Sequence, residues 1–223
     1  MTLWGLVLAG GEGRRFGTPK QFELLRGRTL LEHAISLVRP HCEGVLVVLP
    51  PGSSPAACSA DLTVAGGATR SGSVRNGLAG LPADADRVLI HDAAHPLASL
   101  RLFSDVIAAL TPSVCGALPV IALANTMAWV EAGLITRVQS KEGVHTMQMP
   151  MAFWVDALAE AHARDSGATD DASLMVSLGH PVAAVEGDPG NLHITTIADL
   201  RLAEAVLDAR TGRVGTESGP SLG

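Results

Sequence analysis

Short apolar runs bounded by glycine or proline alternate along this chain with stretches in which apolar residues recur every three or four positions. The first kind reads as strands, the second as helices. Strands are predicted at Leu3–Ala9, Val45–Leu49, Leu62–Ala65, Arg87–His91, Val114–Val120, Pro181–Glu186 and Asn191–Ile194. Helices are predicted at Leu30–Val38, Ser71–Leu81, Leu100–Leu110, Trp154–Ala163, Ala172–Leu178 and Ile197–Ala209, with Thr29 and Ser99 in N-cap positions. Such alternation predicts an α/β fold, a mostly parallel sheet with helices on both faces. Ile121–Met149 departs from the pattern: it lacks helical periodicity and carries turn signals at Asn125-Thr126, Ala132-Gly133 and Glu142-Gly143, which predicts a β-hairpin arm or lid. Residues 1–210 read as one domain, and the Gly/Ser/Pro/Thr-rich tail 211–223 as disordered.

Composition narrows the classes. Of 223 residues 47% are hydrophobic and 17% charged, with a net charge of −6, so general attraction to nucleic acid or an anionic membrane is not expected. With three Trp, four Phe and no Tyr, any bound base is expected to be read by backbone groups and not by stacking. Cys42, Cys58 and Cys115 are widely spaced and form no C-x-x-C pair, which argues against a disulfide framework or zinc site and for a reducing cytosol. The apolar opening Leu3–Leu8 has no positive region before it and runs into glycines, and no apolar run reaches the roughly 20 residues of a membrane span. A cytoplasmic location is therefore expected. Only Lys20 and Lys141 among sixteen basic residues are lysine.

The strongest local signal follows the first strand: Leu8-Ala9-Gly10-Gly11-Glu12-Gly13-Arg14-Arg15-Phe16-Gly17-Thr18-Pro19-Lys20-Gln21. Glycines there let backbone N–H groups approach a polyphosphate, and clustered cations neutralise it. A dinucleotide loop places its third glycine one position earlier and needs an acid after the second strand, where this chain has Leu49-Pro50-Pro51; a P-loop needs Gly-Lys-Ser/Thr, which is missing. A structural turn with surface arginines remains open, but residues 1–28 carry Arg14, Arg15, Lys20, Arg26 and Arg28 against Glu12 and Glu23 in an otherwise acidic chain. Such a local positive site suits an anionic small molecule.

From Leu3 to about Ala209 the sequence resembles the small cytidylyltransferases that couple CTP to a sugar-alcohol phosphate, above all the 2-C-methyl-D-erythritol 4-phosphate cytidylyltransferase family. The carriers are the glycine loop with Pro19-Lys20-Gln21, Gly66-Gly67-Ala68-Thr69-Arg70-Ser71-Gly72-Ser73-Val74, His91-Asp92-Ala93-Ala94-His95-Pro96, Asn125-Thr126-Met127, Thr169-Asp170-Asp171-Ala172-Ser173, and Glu186-Gly187-Asp188 with Asn191-Leu192-His193. The resemblance implies a Rossmann-like three-layer nucleotidyltransferase fold, attack of the acceptor phosphate on the α-phosphorus of CTP, and release of pyrophosphate in non-mevalonate isoprenoid synthesis. Carried over residue by residue, it implies Arg15 and Lys20 as catalytic cations, with Arg14 in a lesser role. CTP is expected at Ala9, Gly10, Gly11, Gly13, Gly66, Gly67 and Ser73, and the acceptor at Asp92, His95, Thr126, Lys141 and His193. Asp92 is the carboxylate expected beside Mg²⁺, and the arm is expected to cross into a second subunit of a homodimer, so that Thr126 and Lys141 act in trans.

Alternatives stay open at several of these positions. Gly66-Gly67 also reads as a plain turn, Arg70 and Arg75 as solvated helix residues, His91-Asp92-x-x-His95 as a metal pair, and Asp170-Asp171 as a helix-capping pair. Departures from the resemblance concentrate on the acceptor side: His95, Asn125 and Lys141 where the family has Arg, Asp and usually Arg, Met149 and Met151 around Pro150, and His193 in place of Lys. If His95 or His193 must be charged, acceptor affinity is expected to rise as pH falls from about 8 to 6. Other acceptors, ribitol 5-phosphate among them, and a CTP-binding regulatory paralogue without turnover therefore remain open as alternatives.

Overall fold

The computed structural model describes residues 1–11, 13, 16–54, 56, 58–164 and 170–212. In chain order the elements are β1 (Thr2–Leu8), β2 (Leu24–Leu25), β3 (Arg28–Thr29), α1 (Leu30–Val38), β4 (Gly44–Leu49), β5 (Leu62–Ala65), α2 (Arg70–Ala79), β6 (Ala85–Asp92) and α3 (Leu100–Ala109). Then follow β7 (Gly116–Ala122), β8 (Met127–Glu131), β9 (Leu134–Gln139), β10 (His145–Met147), β11 (Met151–Trp154), α4 (Val155–Arg164), α5 (Asp171–Ser177), β12 (Val182–Glu186) and α6 (Ile197–Thr211). Among the described residues, eight strands form one sheet in the order β10-β7-β11-β6-β1-β4-β5, with β12 also paired to β7. β1, β4, β5 and β6 run parallel; β10 and β11 return antiparallel.

Alternate residues of each strand supply the two apolar layers, as the period of two requires. Leu3 and Val7 of β1 pack with α1 and α3, whereas Leu6 and Leu8 pack with α2, α4 and α5. A third cluster, built on Leu25, Leu30, Leu97 and Ile194, seats α6. Thr29 and Glu32 form a capping box at the start of α1, satisfying two orphan N–H groups.

The chain lays β4 and β5 on one side of β1 and then β6 on the other. The carboxyl ends of β1 and β6 therefore flank the point where the winding reverses, the place where open α/β sheets bind ligands.

Four expectations change. Asn191–Ile194 is an irregular segment and not a strand: Asn191 N–H closes a turn onto the Asp188 carbonyl, its side chain reaches Met149 and His95, and Ile194 N–H donates to Ala94. Side-chain and turn hydrogen bonds take the place of a ladder there. Ser99 stands at the N-cap of α3, but its side chain makes no capping bond. Trp154 closes β11 and α4 begins at Val155, because Met151–Trp154 is drawn into the sheet between β6 and β7. The irregular stretch is also shorter than 121–149, since β7 runs to Ala122 and β10 is already back in the main sheet; β8 and β9 form the expected hairpin between them. Of the tail 211–223, residues 213–223 lie outside the described residues. No described helix is long and apolar enough to cross a membrane.

Candidate active site

Four loops at the carboxyl ends of β1, β4, β5 and β6 enclose a cavity of about 770 Å³. That volume suits a nucleotide-sized ligand. Its wall includes Ala9, Gly10, Gly11, Gly13, Lys20, Gly66, Gly67, Ser73, Asp92 and His193. The structure thus brings together residues singled out from the sequence on four separate segments: the glycine loop through Lys20, Gly66–Ser73, Asp92 and His193.

Each segment is held by local chemistry. Phe16 and Gly17 N–H both donate to the Gly13 carbonyl, and Gly13 takes φ of +67°. Gly10 and Gly66 come so close that a Cβ on Gly66 would stand 3.4 Å from Gly10 Cα and 3.2 Å from Ser73 Oγ. A Cβ on Gly67 would stand 2.7 Å from the Gly72 backbone. The Gly66-Gly67 turn is fastened to α2 by Ser73, whose hydroxyl accepts from Gly67 N–H and donates to the Thr69 carbonyl. One acceptor position on that oxygen remains for a ligand.

Lys20 lies in a short 3₁₀ turn after Pro19, and its Nζ donates to the Ile194 carbonyl at 2.8 Å. That bond ties the glycine loop to the segment carrying His193 and Thr195. Asp92 ends β6 and accepts from Ala94 N–H at 2.9 Å. Burial alone would push the Asp92 carboxyl up, but His95, the Ala94 N–H, Lys20 and His193 outweigh it and hold it below its usual value. Asp92 is therefore ionised at neutral pH, facing a cavity that also holds an ammonium.

Behind His193 the rings stack inward. His95 lies nearly parallel to His193 at 4.7 Å between centroids, and His91 packs on Phe103 at 5.0 Å. His95 does not line the cavity; its Nδ1 is 3.2 Å from Asn191 Oδ1, and its own carbonyl is 3.0 Å from His91 Nε2. Burial pushes His95 down to about 4 and His91 to about 3. Neither carries a charge between pH 8 and 6, so His95 drops out as the source of an acceptor-affinity change in that range. The metal-pair reading of His91 and His95 is not supported either: among the described residues no group of three or more His, Cys, Asp or Glu side chains could hold an ion. Asp92, the ionised carboxylate among the described residues of the wall, still fits Mg²⁺, an ion that takes one or two carboxylates and draws other ligands from phosphates and water.

Thr126 and Lys141 do not line this cavity. They flank the exposed β8–β9 hairpin, where Lys141 Nζ donates to the Ala124 carbonyl. Arg14 and Arg15 lie outside the described residues. Several contributors lie in or beside the quoted motifs with no site role expected of them. Gln21, 3% exposed, donates from Nε2 to the Gly11 carbonyl and braces the glycine loop. Gln148 accepts from Asp188 N–H and donates to the Asp188 carbonyl, pinning the approach to His193. Arg70 and Thr195 are part of the wall. Their place within or next to those motifs is the one mark that could have found them.

The family model described as 2-C-methyl-D-erythritol 4-phosphate cytidylyltransferase matches residues 3–209. A protein of that description from Thermus thermophilus is 41% identical over 208 residues, covering 90% of this chain and 95% of that one. A crystal structure of the Thermus thermophilus protein superposes with a TM-score of 0.81 at 38% identity, over 92% of this chain and 98% of that one. The bifunctional enzyme IspD/IspF of Gluconobacter oxydans is 37% identical over 226 residues, but these are 93% of this chain and 57% of that protein. The chain thus spans little more than half the length of its bifunctional relatives.

Proposed function

We propose, for a chain that belongs to the 2-C-methyl-D-erythritol 4-phosphate cytidylyltransferase family, that it transfers the cytidylyl group of CTP to 2-C-methyl-D-erythritol 4-phosphate with release of pyrophosphate. The observation that carries this reading is the convergence of the glycine loop, Lys20, the Gly66–Ser73 turn and Asp92 on one cavity. An oxygen of the acceptor phosphate attacks the α-phosphorus, the bond to the β-phosphate bridging oxygen breaks, and pyrophosphate departs. Such a step needs alignment and charge neutralisation more than a covalent nucleophile.

In this reading the backbone of Ala9, Gly10, Gly11, Gly13 and Gly66-Gly67 cradles the nucleotide, and Ser73 offers its remaining lone pair. Lys20, with Arg15, neutralises the charge that builds on the α-phosphate and the leaving group. Asp92 would hold a divalent cation with the triphosphate, which when bound supplies further neutralisation. Asp92 and His193 face the acceptor, and His95 supports His193 from behind. The exposed hairpin, with Leu134 71% and Ile135 66% exposed, suits an arm that Thr126 and Lys141 ride into the site of a second copy. An isolated two-stranded hairpin is marginal without a partner surface. The intact protein is read as a cytoplasmic homodimer.

A second acceptor is favoured by one observation: the wall residue is His193, a histidine stacked on His95, where the resemblance leads one to expect lysine. The deciding experiment is pyrophosphate release with CTP and Mg²⁺, with methylerythritol phosphate and ribitol 5-phosphate in parallel. Turnover of the first is expected, reduced about 10²–10³-fold by Lys20→Ala. Turnover of ribitol 5-phosphate alone would move the assignment; CTP binding without any turnover would make the protein a binding module.

A further inference from the structure

One buried polar network runs beneath the cavity floor and ends on its wall. Arg75 Nη1 donates to Ser71 Oγ at 3.2 Å, Ser71 Oγ lies 3.3 Å from His162 Nδ1 on α4, and His162 Nε2 lies 2.9 Å from Asp171 Oδ1 on α5. Ser71, His162 and Asp171 are 5%, 5% and 1% exposed. Arg70, the first residue of α2 and a wall residue, places Nη2 2.8 Å from Asp171 Oδ2.

An ionised Asp171 can only accept, so His162 donates to it from Nε2; the other ring nitrogen, Nδ1, meets Ser71 Oγ, which also receives from Arg75. The other carboxylate oxygen, Asp171 Oδ2, is buried and meets Arg70 as an ion pair. Burial pushes the Asp171 carboxyl up, but the His162 bond and the Arg70 charge outweigh it and hold it ionised. A buried ionised carboxylate is no better for stability than packed apolar side chains. It does hold a guanidinium in one place, and a preorganised cation binds a ligand without first losing its own rotamer freedom.

We infer that Asp171, oriented by His162, is a positioning residue that presents the Arg70 guanidinium to the bound nucleotide. The sequence motif around Asp170-Asp171 thereby divides: Asp170 caps α5 through Ser173 N–H, and Asp171 turns inward to the nucleotide side. This inference rests on the reading of the cavity as a CTP site, and its test reads binding, so the two can fail separately.

The experiment is calorimetry of CTP binding to the full chain and to Asp171→Asn and Arg70→Lys, with kcat and both KM values. Asp171→Asn keeps shape and removes the charge facing Arg70. Both variants are expected to raise the CTP Kd and KM about tenfold, with kcat within about twofold and the acceptor KM unchanged. The double variant should be no weaker than either single one, because both act through the same guanidinium. An unchanged CTP Kd with a lowered Tm would reduce the network to a structural role and overturn the inference, as would equal losses for both substrates. If Asp171→Asn does not fold, Arg70→Lys, on a side chain one-third exposed, carries the test. Wild-type protein that binds CTP but releases no pyrophosphate would sink the transferase reading alone; no CTP binding at all would sink both.

Discussion

At Gly13 the glycine loop doubles back with φ of +67°, and a Cβ there would run into the Thr18 carbonyl. Left-handed backbone costs an L-residue about 1–2 kcal/mol even without a clash. Gly13→Ala is therefore expected to distort the loop, weakening CTP binding more than tenfold in calorimetry with a drop in Tm of a few degrees; unchanged binding would show that the loop does not cradle the nucleotide. By contrast a Cβ on Gly11 meets nothing within 4 Å among the described residues. Two neighbouring glycines in one motif thus differ in why they are glycine, and spacing in the sequence does not tell them apart. Lys20 is legible at this scale because charge beside glycines has few other uses, and Asp92 through the resemblance carried by His91-Asp92-Ala93-Ala94. His95 is not: its burial and its bond to Asn191 come from residues 96 positions apart in the chain.

At the scale of elements, α1 is legible from its apolar period and from Thr29, and the fold keeps both. β11 escapes the pattern because Met151–Trp154 has no alternation to display; Met151, Ala152 and Phe153 are all buried between β6 and β7. The arm, whose strands carry Trp129, Val130, Leu134, Ile135 and Val138 exposed, makes a prediction of its own. If Lys141 serves the partner's site, mixing Lys20→Ala with Lys141→Ala protein should restore about a quarter of wild-type activity after subunit exchange. Half of the dimers are then mixed, and each mixed dimer holds one intact site. No recovery, in a mixture shown to exchange subunits, would mean that the arm does not act in trans.

Across the whole molecule, buried histidines couple folding to pH. Burial, with the neighbouring His95 adding to it, pushes His91 to about 3, against an ordinary value near 6.5; its Nε2 faces the His95 carbonyl and its Nδ1 has no hydrogen-bond partner among the described residues. The unfolded chain binds a proton below about pH 6.5 that the folded core refuses until about 3. Stability is thus fully present above pH 6.5 and falls as pH drops, by about 2 kcal/mol for this group at pH 5. His95, pushed to about 4 by the same cause, and the half-buried His33 act in the same direction. The lowered carboxyls Asp92, Asp171 and Asp199 act only below about pH 4 and leave this window clear. Thermal unfolding between pH 7.5 and 5 should show the slope, and His91→Phe should flatten it whatever its own Tm; a flat wild-type profile would mean these rings are not buried neutral.

Local rules suffice for much of this protein. Periods of two and of three to four residues specify strands and helices, and a glycine loop with cations specifies an anionic ligand, because each depends on residues close together in the chain. The tertiary structure alone decided which of those residues share a wall. It joined Lys20 to Ile194, stacked His95 on His193 and buried Asp171 against His162 and Arg70, and such pairings depend on burial and distance between segments that no local pattern encodes.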